Sequence, residues 1–110
     1  MSTPKPKTII STPSAPSPIK GIYSQATVAA GLVFCSGSIA MDPATSQIIP
    51  GDVAAHTHQC IKNLTAVLEA AGTTVENVVK VNVFLADMKD FAAMNEVYRL
   101  YWGEEKPSRT

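Results

Sequence analysis

Residues 78–85, VVKVNVFL, constrain the fold more tightly than any other stretch of the chain. Successive side chains of a strand point to opposite faces, so Val79, Val81, Val83 and Leu85 share one side while Val78, Lys80, Asn82 and Phe84 share the other. The first side is wholly apolar and requires a packed layer. The second carries Lys80 and Asn82, too polar for an ordinary core, together with Val78 and Phe84, too apolar for open water. A strand of this kind belongs to a sheet covered by helices on one face and by something else on the other.

The flanking segments supply the helices. Before the strand, Val53, Cys60, Ile61, Leu64, Val67, Leu68 and Ala71 keep a helical period, with Asp52 placed as the N-cap and Gly72 as the terminator. Thr73 and Glu76 have the spacing of a capping box for one further turn. After the strand, Asp87 is placed to cap a second helix. Its spaced apolar residues are Phe91, Met94, Val97, Tyr98, Tyr101 and Trp102, and Gly103 ends it.

Upstream, Ser24–Val28 and Leu32–Ser36 read as strands joined through Ala29, Ala30 and Gly31 into an antiparallel hairpin. Strands connected through helices imply parallel neighbours. The order hairpin, helix, strand, helix therefore predicts an α+β fold in which a mixed sheet carries two helices on one face. The uncovered face predicts a homo-oligomer in which copies meet around a symmetry axis.

Residues 1–17 read as a flexible tail rich in Pro, Ser and Thr, leaving 18–110 as one domain. Within the tail, Lys7–Ser11 can form a short edge strand before Pro13, Pro16 and Pro18 interrupt pairing. A tail accounts for this segment better than a mitochondrial presequence, because it has no arginine and no amphipathic period. The cytoplasm is the expected location, with the mitochondrion as the alternative.

Nine basic residues balance nine acidic ones, so no overall field draws the molecule to nucleic acid or an anionic membrane. No apolar run is long enough to span a bilayer. Cys35 and Cys60 form no CxxC pair and read as small buried hydrophobes. His56 and His58, two apart on a helix, point about 200° away from each other and cannot share a metal. No carboxylate pair is visible for general acid and base work. The aromatic face around Phe91, Tyr98 and Trp102 reads as core. Two polar residues stay open. Tyr23 stands either at a sheet edge with its hydroxyl available or simply on the surface. Arg109, after Pro107, is either a surface cation or a fork for a carboxylate.

Five segments together resemble the reactive intermediate deaminase A family, also called RidA, YjgF or L-PSP endoribonuclease. They are GIYSQA (21–26), LVFCSGSIAMDP (32–43), the 53–72 helix ending EAAG, VVKVNVFLADMKDFAAMNEVY (78–98) and KPSRT (106–110). The order and spacing match over 18–110, and VKVNVFLADMKDF resembles the fungal branch most. The resemblance implies a chorismate-mutase-like fold, a homotrimer with sites in clefts between subunits, and no metal or organic cofactor. It implies hydrolysis of 2-iminobutanoate, 2-iminopropanoate and related enamines, released by pyridoxal-phosphate-dependent dehydratases, to 2-keto acids and ammonia. Carried over by motif, Arg109 matches the arginine that clamps the substrate carboxylate and Tyr23 the tyrosine lining the same cleft. Ser36, Gly37 and Asn95 match further substrate-binding positions.

Ile22 and Ser38 depart from the usual proline and glutamine of the family. The family pattern also continues beyond the arginine, with a cysteine two residues later and a strand bearing a glutamate that positions the attacking water. KPSRT therefore reads as the front edge of a hairpin missing from a C-terminally truncated chain. Two other functions stay open: an L-PSP-type endoribonuclease acting as a translation inhibitor, and a non-catalytic trimer that binds a small molecule.

Overall fold

Regular structure in the computed structural model, which describes residues 6–110, begins with β1 (Thr8–Ile10). β1 lies antiparallel to β2 (Ala26–Ala29), with Thr8 opposite Val28 and Ile10 opposite Ala26. β2 then turns into β3 (Leu32–Cys35) through Ala30 and Gly31, whose φ angles are 53° and 77°. Two consecutive left-handed residues give the two-residue turn whose twist suits paired strands. The expected hairpin forms, but one of its left-handed positions is held by alanine.

The proline-rich segment is anchored rather than loose from β1 onward, and residues 1–5 of the expected tail lie outside the described residues. Gln25 is the reason. Its side chain is 7% exposed. Its Oε1 accepts from Thr12 N at 2.7 Å, while its Nε2 donates to the carbonyls of Thr12, Ala15 and Pro16 at 3.0, 3.3 and 2.9 Å. A segment interrupted by prolines cannot satisfy its backbone in a ladder, and one buried amide does that work instead. Ala15 packs beside Ala26 and Val67 as a result.

α1 (Val53–Ala70) starts where expected, with Asp52 accepting from Ala55 N at 3.0 Å. It ends in a Schellman arrangement. Gly72 takes φ 87°, Thr73 N donates to Leu68 O, and Gly72 N donates to Glu69 O, each at 3.0 Å. Asn63, 3% exposed, ties the 39–41 loop to α1 by donating to Ile39 O and Met41 O.

A 3₁₀ turn at Val75–Asn77 is preceded by Thr74, not Thr73, at the capping position. It shifts the start of strand alternation. Val78 N donates to Val75 O, and Val78 packs on the core while Val79 is 74% exposed, the reverse of the expected facing. From β4 (Lys80–Val81) onward the expected alternation holds, with Val81, Val83 and Leu85 inward and Phe84 outward.

Asp87 caps a 3₁₀ turn that leads into α2 (Phe91–Tyr98). α2 stops short of Trp102. Lys106 Nζ donates to Arg99 O and Tyr101 O at 2.8 Å each, and Trp102 and Gly103 turn the backbone at φ 79° and 75°. Trp102 remains 2% exposed, so core burial holds this bulky residue in a left-handed conformation. β5 (Ser108–Arg109) then pairs parallel with β4, Val81 opposite Arg109.

The fold is α+β, with antiparallel pairing in β1–β3 and parallel pairing in β4–β5. Along its length α1 serves both sheets. Ala66 and Val67 face Ile10, Ala26 and Val33, while Ile61 joins Met94, Tyr98 and Trp102 over Val81, Val83 and Leu85. Among the described residues no helix is long and apolar enough to cross a membrane.

Candidate functional site

Arg109 lies where β5 passes α2. Its Nη1 donates to Asn95 Oδ1 at 2.6 Å, and its guanidinium carbon sits 4.7 Å from the Tyr98 ring centroid and 5.6 Å from that of Phe91. The placement follows from two periods. Phe91, Asn95 and Tyr98 recur every three or four residues on one α2 face, and parallel pairing with β4 fixes the height of Arg109 beside it. The guanidinium is part-buried and makes no ion pair with a carboxylate among the described residues. Two rings and one amide hold it, which supports a cation without neutralising it.

The same cation acts on Tyr98. Burial raises the pKa of the phenol, and the nearby Arg109 charge partly opposes that. Neither the Tyr98 hydroxyl nor Trp102 Nε1 has a hydrogen-bond partner among the described residues, so this part of the core holds two buried donors without acceptors.

Tyr23 and Ser36 gather elsewhere. They line an open cleft of about 440 Å³ with Lys7, Ile22, Thr27 and Cys35. Ser36 is fixed by its Oγ donating to Ser24 O at 2.5 Å and its N–H donating to Gln25 O at 3.0 Å. Tyr23 is 48% exposed. Gly37 follows directly, and a Cβ built on it would meet nothing within 4 Å. Arg109 and Asn95 are not among the residues lining this cleft. Within one chain the sequence-derived residues therefore fall into two groups: Arg109 with Asn95 beside α2, and Tyr23 with Ser36 at the β2–β3 end.

Other expectations change. Cys35 is exposed and Cys60 half-buried, not core, and partial burial raises both thiol pKa values. Phe91, read as core, is 42% exposed beside Arg109. His56 Nε2 meets Ile49 O at 2.8 Å and His58 Nδ1 meets the Tyr101 hydroxyl at 2.6 Å, so the two rings serve different partners. The aromatic seat under Arg109 was missed as a functional feature. The shared spacing of Phe91, Asn95 and Tyr98 was its only trace in the sequence.

The family profile described as endoribonuclease L-PSP matches residues 12–110. A RutC family protein of Pyrococcus horikoshii is 50% identical over 103 residues, covering 94% of this chain and 81% of that protein. The 2-iminobutanoate/2-iminopropanoate deaminase of Rattus norvegicus is 46% identical over 101 residues, covering 92% and 73%. The crystal structure of yeast Mmf1 superposes with a TM-score of 0.90 at 38% identity, over 94% of this chain and 82% of that one. The chain belongs to the endoribonuclease L-PSP family, the group that also carries the names RidA and YjgF.

Proposed function

We propose that the protein hydrolyses small 2-imino acids, 2-iminobutanoate and 2-iminopropanoate, to the corresponding 2-keto acids. One observation carries the reading: Arg109 is a part-buried, aromatic-backed guanidinium with no carboxylate partner among the described residues. Such a group suits a small acid that brings its own carboxylate. The deaminase name of the rat relative points to the same chemistry.

The reaction asks little of a protein. A protonated imine carbon is already electrophilic, so water adds to it, the carbon–nitrogen bond breaks, and R–C(=NH₂⁺)–COO⁻ plus H₂O gives R–CO–COO⁻ plus NH₄⁺. Orientation and proton handling are the main needs, and neither requires a metal or an organic cofactor. Arg109 holds the carboxylate. Tyr23 walls the cleft and exchanges a proton or holds the water, while Ser36, Gly37 and Asn95 shape the surroundings.

Because Tyr23 and Arg109 belong to separate groups within one chain, the proposal has them meet across the seam between copies in a homotrimer. Leu32, Phe34, Ile39 and Phe84, from 53% to 89% exposed, supply apolar surface for such a seam. A threonine dehydratase coupled to the purified protein tests the activity: keto-acid release must accelerate in proportion to added protein. An unchanged rate refutes it, and RNA cleavage that depends on Tyr23 or Arg109 would favour the nuclease reading instead. Sedimentation as a monomer at micromolar concentration would refute the trimer.

A further inference from the structure

Arg109 presents two possible forks to an acid. The end-on fork uses Nη1 and Nη2; the side-on fork uses Nε and Nη2. Nη1 gives one of its two N–H bonds to Asn95 Oδ1 at 2.6 Å, and the ring of Tyr98 lies 4.7 Å from the guanidinium carbon, with Phe91 at 5.6 Å. Nε and Nη2 have no acceptor among the described residues. Ring contacts limit tilting of the guanidinium plane, and the amide limits its rotation within that plane. The end-on fork therefore shares a nitrogen that Asn95 already engages, whereas both nitrogens of the side-on fork are unengaged among the described residues.

We infer that α2 selects the edge of Arg109 that receives substrate: the carboxylate docks side-on against Nε and Nη2, Asn95 is a positioning residue for the guanidinium, and Phe91 and Tyr98 are its aromatic seat. This deepens the imino-acid reading and rests on it. Asn95 then acts through Arg109 and not by reading the reacting carbon. The side-on edge has its two N–H bonds nearly parallel, the geometry that matches the two oxygens of one carboxylate. The class of ligand follows: a planar 2-imino or 2-keto monoacid whose carboxylate is unhindered. A ligand whose acid is replaced by a primary amide has only one acceptor oxygen and forfeits half of the fork.

The chain contains only two arginines, Arg99 and Arg109, so proton–nitrogen spectra of the Nε–H groups separate them, and Arg109→Lys assigns the signals. Titration of the full chain with 2-oxobutanoate is expected to move the Arg109 Nε–H resonance and leave Arg99 in place. 2-Oxobutanamide is expected to bind at least about tenfold more weakly, from the loss of one charge-assisted bond. Asn95→Ala is expected to raise KM about 10-fold with kcat within about threefold, and to broaden the Arg109 Nε–H signal as the guanidinium gains rotation.

Phe91→Leu changes an exposed ring and spares the core; it is expected to raise KM by about 3- to 10-fold through loss of the ring contact. If 2-oxobutanoate binds calorimetrically while the Arg109 Nε–H resonance stays fixed, the edge assignment fails and the imino-acid reading survives. If Asn95→Ala lowers kcat with KM unchanged, the positioning role fails. If neither binding to Arg109 nor imine turnover is detected, the functional reading itself falls and the inference goes with it.

Discussion

Asn95 Oδ1 accepts a hydrogen bond from Arg109 Nη1 at 2.6 Å, joining the second helix to the last strand through one side-chain amide. A cation held by a neutral group keeps its charge available, whereas a carboxylate in the same place would have cancelled it. Arg109→Lys preserves the charge and loses the planar fork. Removing one charge-assisted bond of about 1.5–3 kcal/mol lowers kcat/KM by about 10- to 100-fold. The dehydratase-coupled assay measures this, with circular dichroism confirming that the variant folds. Wild-type turnover in Arg109→Lys contradicts the assigned role.

Tyr23 offers a different separation. Its ring walls the cleft, while its hydroxyl carries any proton transfer, and Tyr23→Phe removes only the latter. If the phenol exchanges a proton with the departing ammonia or the water, kcat falls by about 10²-fold with KM nearly constant. A variant with full kcat reduces Tyr23 to a wall. Because Tyr23 is 48% exposed, the substitution leaves the packed core intact and the comparison is clean.

The parts of this fold legible in sequence are those written in a local period. Val81, Val83 and Leu85 alternate, α1 is bounded by Asp52 and Gly72, and each behaves as its neighbours dictate. Contacts made at long range had no such signature. Gln25 reaches carbonyls nine to thirteen residues earlier, so nothing near it marks it as an anchor. The end of α2 was misread because Trp102 keeps the apolar spacing of a helix while its backbone has already turned left-handed. Motif singles out Arg109 and Asn95 separately as candidates, but their mutual hydrogen bond depends on the β4–β5 pairing that sets them side by side.

Gln25 also carries a stability prediction. In Gln25→Leu the volume is nearly kept, but Thr12 N–H and the carbonyls of Thr12, Ala15 and Pro16 lose their partner. Stranding buried backbone groups costs about 1–3 kcal/mol each, and part of the segment regains water by peeling away, so a loss of about 3 kcal/mol is expected. Urea denaturation reads the loss, and limited proteolysis is expected to cut first within residues 11–17. A midpoint equal to that of the wild type shows that the segment is held by something other than this amide.

Ala30 offers the opposite sign. Its φ of 53° places a Cβ-bearing residue in the left-handed region, beside Gly31 at 77°. Left-handed backbone costs an ordinary L-residue about 1–2 kcal/mol, and asparagine tolerates it better. Asparagine followed by glycine is also the preferred pair for this turn. Ala30→Asn is expected to stabilise the protein by about 0.5–1 kcal/mol, seen as a higher urea midpoint at constant slope. A lower midpoint implies that the Ala30 methyl makes a contact worth more than the backbone strain it carries.

Glu76 sets a pH dependence. The Thr74 side chain, and then the backbone N–H of Glu76 itself, favour its charged carboxylate and hold its pKa below the ordinary carboxylate range. A carboxyl group whose folded pKa is depressed contributes stability above its unfolded pKa of about 4.3, and that contribution fades as pH falls through the lower folded value. Thr74→Ala removes the leading cause. Urea midpoints measured from pH 7 down to pH 3 are expected to fall less steeply below about pH 4 in Thr74→Ala than in the wild type. The other carboxylates titrate in both proteins, so the difference between the two profiles isolates this pair. Parallel profiles would mean that Glu76 gains nothing from the Thr74 hydroxyl, and that the turn before β4 is held by its backbone bonds from Asn77 N to Thr74 O and from Val78 N to Val75 O.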